Sequence, residues 1–317
     1  MISTDLHDGW TLHAAGGPVP EHLAGRQVPA QVPGSVHTDL LTAGLIDDPY
    51  LGLNEADLAW MHRADWRYQR DLALRRVAAD ERADLVFEGL DTVATITLAD
   101  AVVGRTFNQH RTFRFDIRDR LATLDGADTT LAVHLRSALD HAESEAARIG
   151  ARPAAYLHPL NMVRKMACSF GWDWGPDLQT AGIWRPVRLE RWRIARLASV
   201  RPLVSIDDAG AARVGVHVDV ERSGLEATES PVIVQARLTG PEGSTAAGST
   251  AAGSTGAGSV TLPLGGAWSL RMSIRQPVSF AARRAFWPSR PMARDSIRSG
   301  TVTDAMRPSS SISTPTT

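Results

Sequence analysis

Between residues 84 and 135 the sequence runs in short apolar stretches of period two, and that period limits the folds open to it more than any other feature. Residues 92–98 set Val93, Thr95 and Thr97 against Ala94, Ile96 and Leu98. Residues 112–117 place Phe113 and Phe115 on one face, and residues 130–135 repeat the pattern with Leu131, Val133 and Leu135. Successive strand side chains point to opposite faces, so each run can bury one face and wet the other, as antiparallel sheets do. With further runs at 84–88 and 187–192, the pattern predicts a mainly all-β fold that opens with a β-sandwich.

Two helical segments interrupt the strands. Ser35 is a plausible N-cap for a helix carrying Val36, Leu40, Leu41 and Leu45, stopped by Gly44 and Asp47-Asp48-Pro49. Its His37 is expected to be a satisfied packing or capping group. Residues 139–149 read as a second helix with Glu143, Glu145 and Arg148 exposed and Gly150 as its stop. Residues 50–68 show little periodicity and read as a long connection pinned by Trp60, Trp66 and Tyr68.

Beyond residue 194 the strand pattern thins, with candidates at 200–206, 214–220, 232–238 and 268–274. A smaller immunoglobulin-like sandwich over residues 195–280 is expected, after a first domain over 1–194. Within it, the Gly-Ser-Thr-Ala repeat at 243–259 reads as a flexible, solvated loop. Residues 281–317 have scattered arginines, no period and a Ser-Thr-Pro finish, which predicts a disordered tail.

Composition excludes several classes of function. A formal net charge of -1 over 317 residues argues against a dedicated nucleic-acid binder or a binder of anionic membranes. The lone Cys168 cannot close an intramolecular disulfide, the first ten residues hold no apolar signal core, and no apolar run reaches membrane-spanning length. A soluble, cytoplasmic protein is expected. The histidines form no paired metal-ligand spacing and no nucleotide loop occurs, so neither metal nor cofactor is expected.

The segment Phe170-Gly171-Trp172-Asp173-Trp174-Gly175-Pro176 carries the chemistry. Two indoles around one carboxylate, between glycines, can present an anion flanked by flat apolar faces, which suits a sugar's hydroxyls and C–H faces. The alternative is a buried turn whose Asp caps local amides while the tryptophans fill the core.

Several separated stretches resemble the amino-terminal part of β-mannosidases of the glycoside hydrolase family 2 type. They are Val32-Pro33-Gly34-Ser35-Val36-His37-Thr38-Asp39-Leu40-Leu41, Asp48-Pro49-Tyr50 with Gly52-Leu53-Asn54-Glu55, Trp66-Arg67-Tyr68, and Gly89-Leu90-Asp91-Thr92-Val93-Ala94. The most specific are Arg164-Lys165, the run from Cys168 through Pro176, and Gly182-Ile183-Trp184-Arg185-Pro186-Val187.

That resemblance implies a jelly-roll, galactose-binding-like domain, then an immunoglobulin-like domain, then a catalytic (β/α)8 barrel. It implies that Asp173 accepts hydrogen bonds from a terminal non-reducing mannose, that Trp172 and Trp174 shape the pocket wall, and that Arg164 and Lys165 pair with Asp173 or orient the loop. Retaining hydrolysis needs two carboxyl groups about 5–5.5 Å apart, and the barrel that would hold them takes about 250 residues. After residue 280 only the tail remains, and the sole Asn-Glu pair, Asn54-Glu55, lies in the opening signature. The tail also has only Phe286-Trp287-Pro288 where the family shows Trp-Trp-Pro, as a truncated or frame-shifted gene would, with a genuine short paralogue as the alternative. No catalytic residue is therefore expected. The expected partner is a mannoside or other carbohydrate, with self-association through the surface that would face the missing barrel. A stand-alone carbohydrate-binding module is the competing reading.

Overall fold

A computed structural model describes residues 1–74, 76–124, 128–206, 208, 212–224, 232–239, 245–251, 260–262, 269–275 and 296–300. The chain divides into two compact units, Met1–Arg191 and Trp192–Thr317. Among the described residues no helix is long and apolar enough to cross a membrane.

The first unit contains β1 (Ile2–Asp5), β2 (Trp10–Gly16), β3 (Gln27–Ala30), α1 (Val36–Thr42), α2 (Asn54–Asp57), β4 (Asp65–Leu72), β5 (Glu81–Phe87), β6 (Val93–Leu98), β7 (Ala101–Phe107), β8 (Phe113–Asp116), α3 (Arg118–Leu124), β9 (Thr129–Arg136), α4 (Ala138–Ile149) and β10 (Val187–Arg193). They form two sheets, one in the order β1-β10-β5-β8 and one in the order β3-β2-β4-β9-β6-β7. The β1–β10 and β5–β8 pairs and all pairs of the second sheet are antiparallel.

Period two becomes burial in β6 and β9, whereas Phe113 and Phe115 of β8 are only half-buried. Ile96 and Leu98 of β6 and Leu131, Val133 and Leu135 of β9 are closed to solvent, and they share one core with Leu85 and Phe87 of β5 and Val187 of β10. Each fully buried side chain of this size contributes about 1.5–3 kcal/mol, so the alternation is the main source of the sandwich's stability. Asp84 sits in the same strand as Leu85 with no exposure and is held by Arg114 at 2.8 Å. A buried carboxylate is tolerated when it is paired in this way.

The first helix forms as its cap predicts. The Thr38 amide donates to Ser35 Oγ at 3.4 Å, and the Ser35 amide donates to Thr38 Oγ1 at 3.2 Å, a reciprocal capping box. The same end of α1 meets the returning chain. The Val36 amide donates to the Ala181 carbonyl at 2.8 Å and the Gly34 amide to the Ile183 carbonyl at 3.0 Å. Backbones this close leave no room at Gly182, where an added Cβ would lie 2.5 Å from the Gly34 oxygen and 2.8 Å from the Ser35 Cα.

The expectation of one long connection over residues 50–68 gives way to more structure. A 3-10 turn, Ala59–Arg63, leads into β4, whose Trp66 and Tyr68 point into the core with 2% and 0% exposure. The alternation was present, but Asp65, Arg67 and Arg70 around it masked its apolar side. Edge strand β3 holds Pro29 without loss, because an edge position requires no inward amide.

The second unit contains β11 (Ala195–Ile206), β12 (Ala212–Arg222), β13 (Ile233–Thr239), β14 (Thr245–Ala251), β15 (Val260–Leu262), β16 (Ser269–Arg275) and β17 (Ser296–Gly300). One sheet runs β11-β12-β15, with β17 also on β12, and another runs β14-β13-β16. Val218, Val220, Val232 and Val234 form its described core. The expected flexible loop at 243–259 is corrected over Thr245–Ala251, which pairs with β13 from Thr239↔Thr245 to Ile233↔Ala251. A ladder uses main-chain groups, which Ser, Thr, Ala and Gly supply as well as any residue. Within the expected tail, Ser296–Gly300 pairs with β12; the rest of that expectation lies outside the described residues.

Gly182→Ala is expected to destabilise the chain by about 1–3 kcal/mol, because the added methyl meets backbone that cannot turn aside. Urea unfolding would show a lower midpoint with an unchanged slope, and an unaltered midpoint would contradict the close packing.

Candidate functional site

The aromatic segment leaves the sandwich after α4 and returns at β10. Its first anchor is apolar. Phe170 ends a 3-10 turn, Ala167–Phe170, at 2% exposure, in a small core with Val93, Leu139, Ala142 and Val163. Gly171 then takes φ +84°, a conformation that favours glycine and swings the chain outward.

Beyond it the backbone closes a tight turn. The Trp172 amide donates to the Gly175 carbonyl at 2.9 Å, and the Gly175 amide returns a bond to Trp172 at 3.3 Å. This places Asp173 and Trp174 at the tip, where Asp173 is exposed and Trp174 is 71% exposed. Trp172 is backed by Tyr156, with ring centroids 4.6 Å apart, and lies 6.4 Å from the Trp174 ring. The segment thus divides between the two sequence readings. Phe170 is core, whereas Asp173 caps nothing among the described residues and stands in solvent beside an open indole.

The base of this segment is tied across its two legs. Lys165, on the incoming leg, is 6% exposed, and its Nζ donates to both Asp91 oxygens at 2.6 Å and to the Thr180 carbonyl at 2.8 Å. Thr180, on the outgoing leg, donates its hydroxyl to Asp91 Oδ2 at 2.7 Å, and the Thr92 hydroxyl also donates to Asp91. Asp91 and Gly182 exchange backbone bonds at 2.9 and 3.1 Å. Burial pushes the Lys165 ammonium below the ordinary lysine value, and the Asp91 carboxylate pulls it back. Lys165 therefore belongs to Asp91 rather than to Asp173, and Arg164 is exposed and enters through its backbone carbonyl, which accepts from the Gln109 amide at 2.9 Å. Gln109 Oε1 accepts from the Met166 amide at 2.7 Å, and its own carbonyl accepts from Trp184 Nε1 at 3.1 Å.

A further tie sits just past the tip. The Asp177 amide donates to Glu55 Oε1 at 2.6 Å, and its carboxylate meets His158 Nε2 at 2.7 Å and Gln179 Nε2 at 3.1 Å. His62 Nδ1 lies 4.0 Å away. Glu55, His62, His158 and Asp177 line a cleft of about 560 Å³ with Leu53, Arg63 and Leu157. Leu53 and Leu157 are 81% and 91% exposed. Glu55, recognised from sequence only as part of the opening signature, thus has its role here. Nothing in the sequence marked His158, Asp177 or Gln109, whose ties to one another, to Met166 and to Glu55 span 19 to 122 residues.

His37 differs from the expectation of a satisfied group. It is buried, and among the described residues neither ring nitrogen has a hydrogen-bond partner; His62 Nε2 is likewise unpartnered there. Burial, with smaller contributions from His62 and Lys165, pushes the His37 imidazole down to about 4. Burial also lowers His62, against the pull of Asp177. Asp39 moves the other way, raised by burial to about 6 although the Gln31 amide and the Tyr68 hydroxyl donate to it. Among the described residues no group of three or more His, Cys, Asp or Glu side chains is placed to hold a metal.

Comparison with known proteins is decisive at the level of family. The family model for the glycosyl hydrolase 2 galactose-binding domain-like domain matches residues 10–185. The chain belongs to that family. Its similar curated proteins include β-mannosidase of Bos taurus, 32% identical over 210 residues, which covers 62% of this chain and 22% of that protein. β-Mannosidase A of Emericella nidulans is 38% identical over 176 residues, covering 52% of this chain and 18% of its own length. The crystal structure of β-D-mannosidase from Dictyoglomus thermophilum superposes with a TM-score of 0.66 at 28% identity, over 87% of this chain and 31% of that one. The Amycolatopsis orientalis exo-chitosanase, at 17% identity and a TM-score of 0.54, shares the fold. This family member spans about a fifth of the length of the curated β-mannosidases, in their amino-terminal region.

Two of the shifted groups, His37 and Asp39, titrate with opposite effects. The folded His37 value of about 4 lies below the ordinary 6.5, so its contribution to stability is complete above pH 6.5 and is lost as pH falls toward 4. The folded Asp39 value of about 6 lies above the ordinary 3.8, so its cost is felt above pH 6 and is relieved by acid. His37→Phe removes the first effect and leaves the second. Relative to the wild type, the variant should gain up to about 1.4 kcal/mol per pH unit as pH falls below 6.5. Urea unfolding at pH 7, 6, 5 and 4.5 measures the difference, and parallel pH profiles for the two proteins would contradict it.

Proposed function

We propose that this chain supplies the substrate-facing loop of a β-mannosidase, in which Asp173 accepts hydrogen bonds from the hydroxyls of a terminal non-reducing mannose and Trp172 and Trp174 form a wall of the pocket. One observation carries the reading. The turn presents a carboxylate unpaired among the described residues and an exposed indole on a tied base, the pairing that a sugar's hydroxyls and C–H faces require. The β-mannosidase relatives support the choice of sugar.

Hydrolysis by this chain alone is not proposed. Glycoside cleavage needs two carboxyl groups about 5–5.5 Å apart, or about 6.5–9.5 Å for inversion, flanking the bond. Carboxylates beside the loop are already engaged: Asp91 by Lys165 and Thr180, Asp177 by His158 and Gln179, and Glu55 by the Asp177 amide. Asp39, the carboxyl raised to about 6, is buried beneath Tyr68 rather than open to a cleft.

The purified chain should release no p-nitrophenol from p-nitrophenyl β-mannoside, and turnover free of host glycosidase would overturn the reading. In calorimetry with mannose and mannobiose, binding should be weak, in the millimolar range, and lost in Asp173→Ala. Micromolar binding lost in that variant would instead assign a stand-alone carbohydrate-binding module, and binding indifferent to it would move the site elsewhere.

The cleft beside the loop is rimmed by the exposed apolar side chains Leu53 and Leu157, and Trp174 stands exposed at the loop tip. Such groups promote association when they form a continuous patch. Sedimentation should therefore show self-association that grows with concentration and weakens in Leu53→Ser/Leu157→Ser. A single monomeric boundary at high concentration would remove this part of the proposal.

A further inference from the structure

The ion pair at the base of the aromatic loop is built in a way that packing alone does not require. Removing an ammonium and a carboxylate from water is expensive, and well-packed apolar side chains often serve a core equally well or better. What the ion pair adds is direction. Lys165 Nζ is fixed by both oxygens of Asp91 and by the Thr180 carbonyl, so one ammonium sets the incoming leg, the outgoing leg and the start of β6 against one another. The Thr180 hydroxyl closes the ring by donating to Asp91, and the Asp91–Gly182 backbone pair sets the outgoing leg in register. Apolar groups would hold the legs together but would not prevent one from sliding along the other.

We propose that Asp91 and Lys165, with Thr180 between the legs, are positioning residues that fix the register of the loop base and so hold Trp172, Asp173 and Trp174 in one presentation before any ligand arrives. The proposal rests on the loop being the sugar-facing element. Neither Asp91 nor Lys165 touches the ligand. They act through the turn between Trp172 and Gly175, whose paired amides report whether the tip is held.

Amide hydrogen exchange on the full chain tests this, comparing peptides over residues 166–178 with those over β9. Thr180→Val removes one hydroxyl with little change of shape, and the loss of about 1 kcal/mol should raise exchange in 166–178 by about fivefold while β9 is unchanged. Asp91→Asn/Lys165→Met removes both charges and should raise exchange in 166–178 by at least as much, again without affecting β9. Equal acceleration in both regions would make the pair a general stability element and overturn the proposal, as would no change at 166–178. If the double variant does not fold, Thr180→Val decides alone. Asp173→Ala should leave exchange unaltered while abolishing any response to mannose. A wild-type chain that never responds to mannose would therefore sink the sugar-facing reading, whereas a silent exchange experiment would sink only the positioning role.

Discussion

The Asp91 carboxylate is 2% exposed and is surrounded by donors from Lys165, Thr180 and Thr92, and much of the first unit's irregular structure hangs on that one group. A carboxylate so far from water is tolerable only when its lone pairs are filled. Filling them requires Lys165 and Thr180 to arrive from opposite sides of the aromatic excursion. The same residue pairs its backbone with Gly182, and Gly182 lies against Gly34 and Ser35, where the capping box of α1 begins. One buried charge thus links a sheet strand, a loop base and a helix start, none of which neighbours another in sequence.

The sequence disclosed those parts of the fold whose information is local. The alternation of β6 and β9 and the Ser35 cap of α1 are each written within a few residues, and each stands where it was expected. Thr245–Ala251 failed that test because its composition reads as linker while its backbone pairs like any strand; strand pairing is decided by the partner. The tip residues Trp172, Asp173 and Trp174 were legible from their chemistry. Their supports were not. Lys165 and Asp91 each stood in a recognisable motif, but a contact across 74 residues leaves no mark in either motif. His37 was visible as a residue and misread as satisfied, since only the fold shows that burial has stripped both nitrogens of partners.

The interior behind the loop is more polar than stability alone would select. His37 is coupled to Lys165 and Asp91, and His62 to Asp177, His158 and Glu55, so a line of titratable groups runs from the loop base to the cleft. Neutral imidazoles are the state that burial favours, and keeping them neutral leaves the Asp91–Lys165 pair without a competing cation. Apolar residues could fill this volume, but they could not fix the orientation of two legs that carry no regular secondary structure.

Rigidity at the base and openness at the tip answer different needs of a sugar ligand. A hexose keeps its hydroxyls hydrated until several groups replace that water together, and small-molecule sites commonly bury about 70–90% of the ligand surface. A turn tip that offers one carboxylate and one indole face covers far less than that, so its own affinity is small whatever its geometry. Its worth lies in pre-organisation: a held carboxylate adds its hydrogen bonds to those of an opposing wall without a further ordering cost, whereas a mobile one loses much of that gain to entropy. The tied base is therefore of most use to a site completed by other surfaces. This also explains why Lys165, Phe170, Asp177 and Thr180, on either side of the tip, are all tied inward.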